Sequence, residues 1–548
     1  MASAASPAAP ARVAFADVSV RGYRAVVAAC VVGVGAFLAL RLTAWPPHED
    51  ETLALFVGQE PLRDLLGTVL GERGGAPLHF LFAWAVSQLG GGIGGLRLVS
   101  ALFALASIPL VALLAERLAG RTEAALAAVL ASTSWVLLFH AVYGRMYSIF
   151  LCTSALSYLA LLAALRDGGF RRWALWAAAI LLTIATHPYG ALVLGSQGLY
   201  VLLTRERLRQ ALLAGAAVVV LGTPFWLTNL VLARRFDVGV GGGGDRLGGP
   251  VPVIRYLGSV AADFSAGPVV LPVVLALLGL GLVRLRRTRP RSALLVAAAF
   301  GTPTAAFLLA RIGGSAAPET RHLIFTLPFF AALLAVALVA IARSGRAGAP
   351  AAAGLTAALL AAGGVVWAWE RTPSLFLGEP AERVAARGEL TAWLAATARP
   401  DDVLLGYDPV FLEEWRRGGD FSRLVLPRAD ARLAAAALER APRPLGRGVW
   451  VLSAWATTNA ENALEIPLRV PRPAGAFEAR TFGPYLVLRT REPTRTPEEY
   501  LRHAAAAMVV GKTLFVGDAD INFHTISRAA AILGYESSLA SSRSTSSR

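Results

Sequence analysis

Charged side chains are scarce in this chain. They make up 16% of its 548 residues, whereas a soluble globular protein carries about 25%. Hydrophobic residues make up 55%, and the mean hydropathy is +0.56. A soluble domain of this length has no room for so much apolar surface in its own core. The composition therefore argues against an ordinary soluble protein and predicts one that is embedded in a bilayer.

Cysteine is also nearly absent. The two cysteines, Cys30 and Cys152, both lie within apolar runs. Their spacing matches no metal-binding or redox motif, and a thiol in an apolar environment is usually inert. We therefore expect neither a disulfide nor a cysteine-based metal site.

Positive charge exceeds negative charge, with a formal net charge of +16. The arginines responsible fall in short clusters between apolar runs, for example near residues 117–121, 166–172, 205–209, 284–291 and 343–346. This pattern is typical of the cytoplasmic loops of membrane proteins and differs from the continuous basic face of a nucleic-acid-binding protein. No nucleic-acid partner is predicted.

Eleven apolar segments have the length, or nearly the length, of about 17–25 residues that a membrane-spanning helix needs. They lie at about 25–44, 97–115, 124–139, 148–165, 173–187, 189–203, 210–232, 268–283, 292–310, 322–342 and 350–369. The first shows no small-residue cleavage signal, so we interpret it as a retained helix. The arginine clusters all fall on one side only if the shorter apolar stretch 76–89 does not cross. We therefore predict that 76–89 lies in the interface or re-enters from the outer face.

This topology predicts a mainly α, polytopic membrane protein with about 11 transmembrane helices and a small extracytoplasmic α/β domain at the C-terminus. Strand-like runs alternate with helical patterns only after residue 369, which indicates the α/β domain. The predicted parts are a disordered cytoplasmic N-terminus (1–22), a transmembrane domain (23–369) with a first outer loop (45–96), the α/β domain (370–490) and a C-terminal extension with a Ser-rich tail (491–548). The glycine-rich stretch 238–249 is either a lid or a plain linker.

Polar residues that are unusual for a membrane protein collect on the predicted outer face. Four clusters contain them: His48, Glu49, Asp50, Glu51 and Arg73; His140, Tyr143, Arg145 and Tyr147; His187 and Tyr189; and Glu319, Arg321 and His322. Ionisable groups at membrane depth are costly and usually face a cavity, so four clusters on one side predict a polar cavity. Taken alone, the acidic run also fits a solvated helix start.

Carboxylates and arginines at one membrane face suit glycosyl transfer from a lipid phosphate. Guanidinium groups bind phosphate oxygens in a bidentate way, and a carboxylate orients and deprotonates an acceptor hydroxyl or amine. A divalent metal on His48, Asp50 and Glu51 is possible by ligand type. It is not favoured, because neighbouring residues cannot all point at one ion without strain, and no cofactor is assigned.

Four sequence features also occur in a recognisable order. They are Asp50-Glu51; Ala76-Pro77-Leu78-His79-Phe80-Leu81 followed by the helix start at 96–103; Tyr143-Gly144-Arg145-Met146-Tyr147-Ser148; and Arg321-His322 before Leu327-Pro328. Together they resemble the GT-C superfamily of polyprenyl-phosphate-sugar glycosyltransferases. The likeness is greatest to the bacterial relatives of protein O-mannosyltransferases and of the lipid A aminoarabinose transferase, and it covers roughly residues 25–345.

The resemblance implies an integral membrane glycosyltransferase that moves a sugar from a polyprenyl-phosphate donor to an extracytoplasmic acceptor, which is a protein, a lipid or a cell-wall glycan. It implies Asp50 as the base that activates the acceptor and Glu51 as its orienting partner. Arg145 and Arg321, and in our prediction Arg73, bind the donor phosphate. The remaining residues predicted to line the site are His48, Tyr147, His187, Tyr189 and His322. We expect the protein in the plasma (inner) membrane, in contact with lipid.

Other functions stay open at this stage. A transporter or flippase of lipid-linked sugars often shows internal repeats, and we see none. A polysaccharide polymerase or ligase also uses outer-face arginines, but its main polar loop is expected late in the chain. A structural assembly protein whose C-terminal domain does the work is the third alternative.

Overall fold

The computed structural model describes residues 17–237, 247, 249–309, 318–405, 425–426, 431–453, 477–513 and 519–535. Of the glycine-rich stretch 238–249, only Leu247 and Gly249 belong to this description. The prediction of a lid or a linker there therefore lies outside the described residues.

Helices dominate the first two thirds of the chain. They are α1 (Val20–Arg41), α2 (Glu49–Gly58), α3 (Leu62–Gly67), α4 (Pro77–Gln88), α5 (Ile93–Leu118), α6 (Arg121–Ser132), α7 (Trp135–Val142), α8 (Tyr147–Asp167), α9 (Phe170–Thr186), α10 (Gly190–Thr204), α11 (Leu208–Leu221), α12 (Thr223–Asp237), α13 (Pro250–Phe264), α14 (Leu271–Thr288), α15 (Pro290–Leu309), α16 (Leu327–Ala342) and α17 (Gly348–Val366). A π-helical segment covers Thr68–Arg73, a 3₁₀ segment Thr320–Thr326 and a π-helical turn Trp367–Arg371.

Six helices within the described residues are long and apolar enough to cross a membrane, and up to eight if each of two bent pairs counts as one span. The bent pairs are α6 with α7, at 53°, and α11 with the first part of α12, at 55°. Every apolar segment predicted from the sequence coincides with a helix or with one of these pairs. The predicted total of about 11 spans is not confirmed and stays a prediction.

Helix α16 lies at the centre of the bundle. In the apolar window that covers it, 89% of the residues are buried, against 17% for α1 and 22% for α17. A helix that is hydrophobic on every side is buried or faces lipid, so burial separates the central helix from the peripheral ones. Its neighbours are α6, α14 and α17.

Helix α4 has 12 residues, fewer than the about 17–25 that a spanning helix needs. Gly74, Gly75 and Ala76 before it all have φ between 45° and 69°. This left-handed run turns the chain sharply before α4 begins. The length agrees with the non-crossing helix predicted at 76–89, whose place at the membrane surface stays a prediction.

An α/β unit follows the helical bundle. Its helices are α18 (Pro373–Leu377), α19 (Ala381–Thr397), α20 (Ala431–Arg440), α21 (Pro497–Thr513) and α22 (Ala519–Ile532), and its strands are β1 (Val403–Leu405), β2 (Val425–Leu426), β3 (Gly448–Ser453), β4 (Phe477–Phe482) and β5 (Tyr485–Thr490). The sheet order is β2-β1-β3-β5-β4. Strand β1 is parallel to β2 and β3, whereas β5 is antiparallel to β3 and β4.

The sheet is covered on both faces. Leu390 and Leu394 of α19 pack against Val449 and Val487. The opposite face carries Trp450 and Leu488, which pack against α20, α21 and α22. This double burial explains why β3 and β5 read as continuous apolar runs. Helices α21 and α22, which follow residue 490, share a hydrophobic core with strands that precede it. The predicted division of the chain into domains and the predicted extracytoplasmic location of this unit stay predictions.

Candidate active site

The acidic run starts helix α2. The Nδ1 atom of His48 accepts a hydrogen bond from the backbone N–H of Asp50 at 3.2 Å, and the Glu51 carboxylate accepts one from the N–H of His48 at 2.9 Å. The two contacts form a reciprocal cap of the helix N-terminus. Asp50 is thereby placed in the first helical turn, where the helix dipole favours its negative charge.

The side chain of Glu51 is fully buried and accepts four hydrogen bonds. Two come from Arg97, at 2.8 Å each, one from the N–H of Gly144 at 2.7 Å and one from the N–H of His48. A carboxylate has about four lone-pair sites, so all of them are in use. Glu51 therefore holds the loop before α2 and the turn at Gly144 together and has no acceptor site left for a substrate.

Arg97 is a residue that the sequence-based prediction of the site missed. It is 2% exposed, and it also donates hydrogen bonds to the carbonyls of Leu42, Trp45 and Pro46. A lone arginine in an apolar helix costs free energy unless it is paired. The position of Arg97 in such a helix therefore predicts a buried acidic partner. Gly144 is also constrained, because a Cβ there would lie 2.9 Å from Oε1 of Glu51.

Three groups surround the Asp50 carboxylate. The Tyr143 hydroxyl donates a hydrogen bond to Oδ2 at 3.0 Å, a terminal nitrogen of Arg145 lies 3.5 Å from the same oxygen, and Nδ1 of His48 lies 3.8 Å away. Burial by itself raises the pKa of Asp50, but the charges of Arg145, His48 and Arg321 and the Tyr143 hydrogen bond outweigh it. The pKa of Asp50 therefore lies well below its usual range, and the carboxylate is ionised at neutral pH.

Arg145 is buried beside Asp50. Burial is the largest single influence and lowers the pKa of its guanidinium, but Asp50, Tyr143 and Tyr147 together raise that pKa by more, so the group stays cationic. Within the part of the chain that the structure describes, its Nε has no hydrogen-bond partner. A buried donor without a partner costs free energy, and an anionic ligand would satisfy it.

Arg321 lies beside the rings of Tyr143 and Tyr147. Its guanidinium carbon is 5.1 Å from the centre of the Tyr147 ring and 5.8 Å from that of the Tyr143 ring. One terminal nitrogen donates a hydrogen bond to Glu319 at 2.6 Å, and Nε is buried with no hydrogen-bond partner among the described residues. The rings restrict the guanidinium through cation–π attraction.

Aromatic and histidine rings form a wall next to Arg321. The ring of His322 lies 5.2 Å from those of His187 and Tyr189 and 6.1 Å from that of Tyr147. His187 is itself buried, and its Nδ1 accepts the N–H of Tyr189 at 3.1 Å. The structure thus brings together four of the five residues that the sequence predicted to line the site, whereas the fifth, His48, lies beside Asp50.

Two further histidines are buried here without an assigned role. The His140 ring lies 4.7 Å from that of Tyr147, and neither of its nitrogens has a hydrogen-bond partner within the described part of the chain. His79 is 1% exposed, and burial, followed by the charge of Arg145, lowers its pKa to about 3. His79 is therefore neutral at physiological pH.

The last predicted phosphate ligand is Arg73, at the end of the π-helical segment Thr68–Arg73. Its side chain lies outside the description, so its role stays a prediction. The described residues contain no group of three or more His, Cys, Asp or Glu side chains that could hold a metal ion.

Parts of this chain are similar in sequence and in fold to known proteins. Residues 74–227 match the family model for dolichyl-phosphate-mannose-protein mannosyltransferase. The crystal structure of ArnT from Cupriavidus metallidurans in the apo state is 17% identical, with a TM-score of 0.52 over 86% of this chain and 98% of that one. The same enzyme bound to undecaprenyl phosphate is 16% identical, with a TM-score of 0.51 and the same coverage. No protein with a curated description matches the chain.

The fold is therefore that of the GT-C glycosyltransferases, and the apolar helices are those of a multi-pass membrane protein. The resemblance predicted from the sequence is confirmed by both comparisons. The match over residues 74–227 and the ArnT-like fold both agree with the predicted class, a membrane glycosyltransferase.

Proposed function

We propose that this protein transfers a sugar from a polyprenyl phosphate to an acceptor hydroxyl or amine on the extracytoplasmic side, by direct displacement with inversion. The observation that carries the proposal is the ionised Asp50 carboxylate 3.5 Å from the buried Arg145. A base for an acceptor and a cation for a phosphate thus share one site. The ArnT structure bound to undecaprenyl phosphate supports the lipid class of the donor.

The donor phosphate binds between Arg145 and Arg321. Both guanidinium groups have a buried Nε without a hydrogen-bond partner in the described residues, so each has a donor to spare for a phosphate oxygen. Charge-assisted contacts of this kind are about twice as strong as neutral hydrogen bonds. The wall formed by Tyr147, His187, Tyr189 and His322 lies beside this place.

Asp50 orients the acceptor and takes its proton. With the site empty, the neighbouring cations hold its pKa too low for an efficient base, since a general base works best with a pKa near the operating pH. The donor is a phosphodiester, and its monoanionic phosphate partly compensates the charges of Arg145 and Arg321, so the pKa of Asp50 rises. Donor binding therefore prepares the base.

The chemical step is a direct displacement at the anomeric carbon. The acceptor oxygen or nitrogen attacks the anomeric carbon, and its proton passes to Asp50. The bond from that carbon to the phosphate oxygen breaks, and the electron pair leaves with the polyprenyl phosphate, whose charge the two arginines stabilise. Glu51 takes no part in proton transfer and positions the turn that carries Tyr143 and Arg145.

The location also belongs to this proposal. Arginine clusters on one side support a cytoplasmic N-terminus and an extracytoplasmic site in the plasma (inner) membrane. The α/β unit then lies on the same side as the site, where it is available to an acceptor protein, lipid or glycan.

The test uses the full chain reconstituted in liposomes with radiolabelled undecaprenyl-phosphate sugars. We expect Asp50→Asn to lower the transfer rate by about 10²-fold or more and to leave the binding of undecaprenyl phosphate intact. Asp64→Asn is the matched control, because Asp64 is an exposed carboxylate of the same loop. Near-normal transfer by Asp50→Asn would remove Asp50 as the base. Passage of lipid-linked sugar across the bilayer without transfer would instead indicate a flippase.

A further inference from the structure

Helix α13 contacts the segment that carries Arg321. Its residues Tyr256 and Asp263 are seven positions apart and therefore lie on one face of the helix. The Tyr256 hydroxyl donates a hydrogen bond to the carbonyl of Glu319 at 3.0 Å, and Thr320 donates one from its hydroxyl to Oδ2 of Asp263 at 2.5 Å. The two contacts hold the two residues that directly precede Arg321.

Asp263 also forms an ion pair, in which its own carboxylate is buried and the Arg371 side chain is partly exposed. Its side chain is 5% exposed, and a terminal nitrogen of Arg371 lies 2.6 Å from its Oδ1. Burial raises the pKa of Asp263, and the Thr320 hydrogen bond and the Arg371 charge oppose that rise. Arg371 ends the π-helical turn Trp367–Arg371, which leads from α17 into the α/β unit. One carboxylate thus joins three elements that are far apart in sequence.

Arg321 depends on this arrangement for its position. It follows Thr320 directly, donates to Glu319 at 2.6 Å and lies over the Tyr147 ring. A shift of the backbone at 319–320 would carry the guanidinium with it. Displacements of about 1 Å in a positioning group can lower a reaction rate by about 10²-fold.

We propose that Asp263 is a positioning residue, which holds Thr320 and thereby sets the Arg321 guanidinium for the donor phosphate, while Arg371 anchors the same carboxylate to the start of the α/β unit. This inference rests on the proposed function, because it takes Arg321 as a ligand of the donor phosphate. Asp263 itself does not touch the donor.

The test measures the affinity of the full chain, in lipid nanodiscs, for undecaprenyl phosphate. Asp263→Ala removes the anchor, and Thr320→Val removes only the hydroxyl, so that the Asp263–Arg371 pair stays in place. The matched control is Asp402→Asn, because Asp402 is an equally buried carboxylate that pairs with Arg447 at 2.7 Å within the α/β unit. We expect both test variants to raise Kd at least about tenfold, or about 1.4 kcal/mol, and the control to leave Kd unchanged.

A double-mutant cycle separates positioning from general destabilisation. If Thr320 acts through Arg321, then Thr320→Val should have less than about a twofold effect in an Arg321→Gln background, because the two changes share one pathway. Equal losses in both backgrounds, or a Thr320→Val variant that binds as the wild type does, would overturn the inference. Thermal unfolding of each variant shows whether it is folded. If Asp263→Ala does not fold, the result for Thr320→Val alone decides whether the inference holds.

Failure of the inference and failure of the proposed function give different results. If the wild type does not bind undecaprenyl phosphate, both are wrong. If the wild type binds and Arg321→Gln weakens binding, while Asp263→Ala and Thr320→Val behave like Asp402→Asn, the donor site stands and only the positioning role is wrong.

Discussion

Replacement of Arg97 by Met tests whether the buried pair with Glu51 organises the site. The substitution keeps most of the side-chain volume but leaves the fully buried Glu51 carboxylate with its two backbone donors alone. Removal of one partner from a buried ion pair costs about 3–5 kcal/mol, because the remaining charge is uncompensated. Domains are stable by only about 5–15 kcal/mol, so we expect a large loss of unfolding free energy.

The charge that Arg97 leaves behind can be removed in turn. Glu51→Gln in the Arg97→Met background restores neutrality at this position, so the double variant should be more stable than the sum of the single losses predicts. We expect a coupling free energy of about 2 kcal/mol, within the range measured for groups in direct contact. The assay is denaturant unfolding of the detergent-solubilised chain, followed by tryptophan fluorescence.

The matched control is Arg121→Met. Arg121 pairs with Glu116 at 3.5 Å, and its side chain is 48% exposed, so its removal should cost only about 0–1 kcal/mol. Equal stability losses for Arg97→Met and Arg121→Met would refute the reasoning. If Glu51→Gln instead kept wild-type stability but lost transfer as completely as Asp50→Asn, Glu51 would act on the substrate and not on the fold.

Two further predictions concern pH. Arg145→Met removes the largest charge that lowers the pKa of Asp50, so that pKa should rise, and the acid limb of the residual pH–rate profile should move to higher pH than in the wild type. The pKa of His79 falls from 6.5 to about 3 in the folded protein, so only the unfolded state binds this proton between those values. The free energy of unfolding should therefore drop as the pH falls below 6.5, by up to about 1.4 kcal/mol per pH unit. Between pH 7 and pH 5, the unfolding free energy of His79→Phe should fall by less than that of the wild type.

Local sequence signals predicted this structure best. Long apolar runs predicted the helices, because the burial of a continuous apolar segment in lipid needs no information about distant residues. The strand-like apolar runs at 403–405, 424–426, 449–452 and 485–488 coincide with β1, β2, β3 and β5, because a short apolar run is also a local signal. Strand β4 was missed, because Phe477–Phe482 is an edge strand that mixes exposed charged residues with apolar ones.

The sequence by itself determined the class of protein, the helical bundle with its later α/β unit, and the candidate residues Asp50, Arg145 and Arg321. Only the tertiary structure decided which opposite charge each buried ionisable side chain pairs with. Glu51 pairs with Arg97 across 46 positions and Asp263 with Arg371 across more than 100. Hydropathy is a property of a segment and can be read along the chain, whereas the partner of a buried charge depends on which helices pack together. That packing placed Asp50 beside Arg145 and Tyr143 and gave Glu51 a structural role beside it.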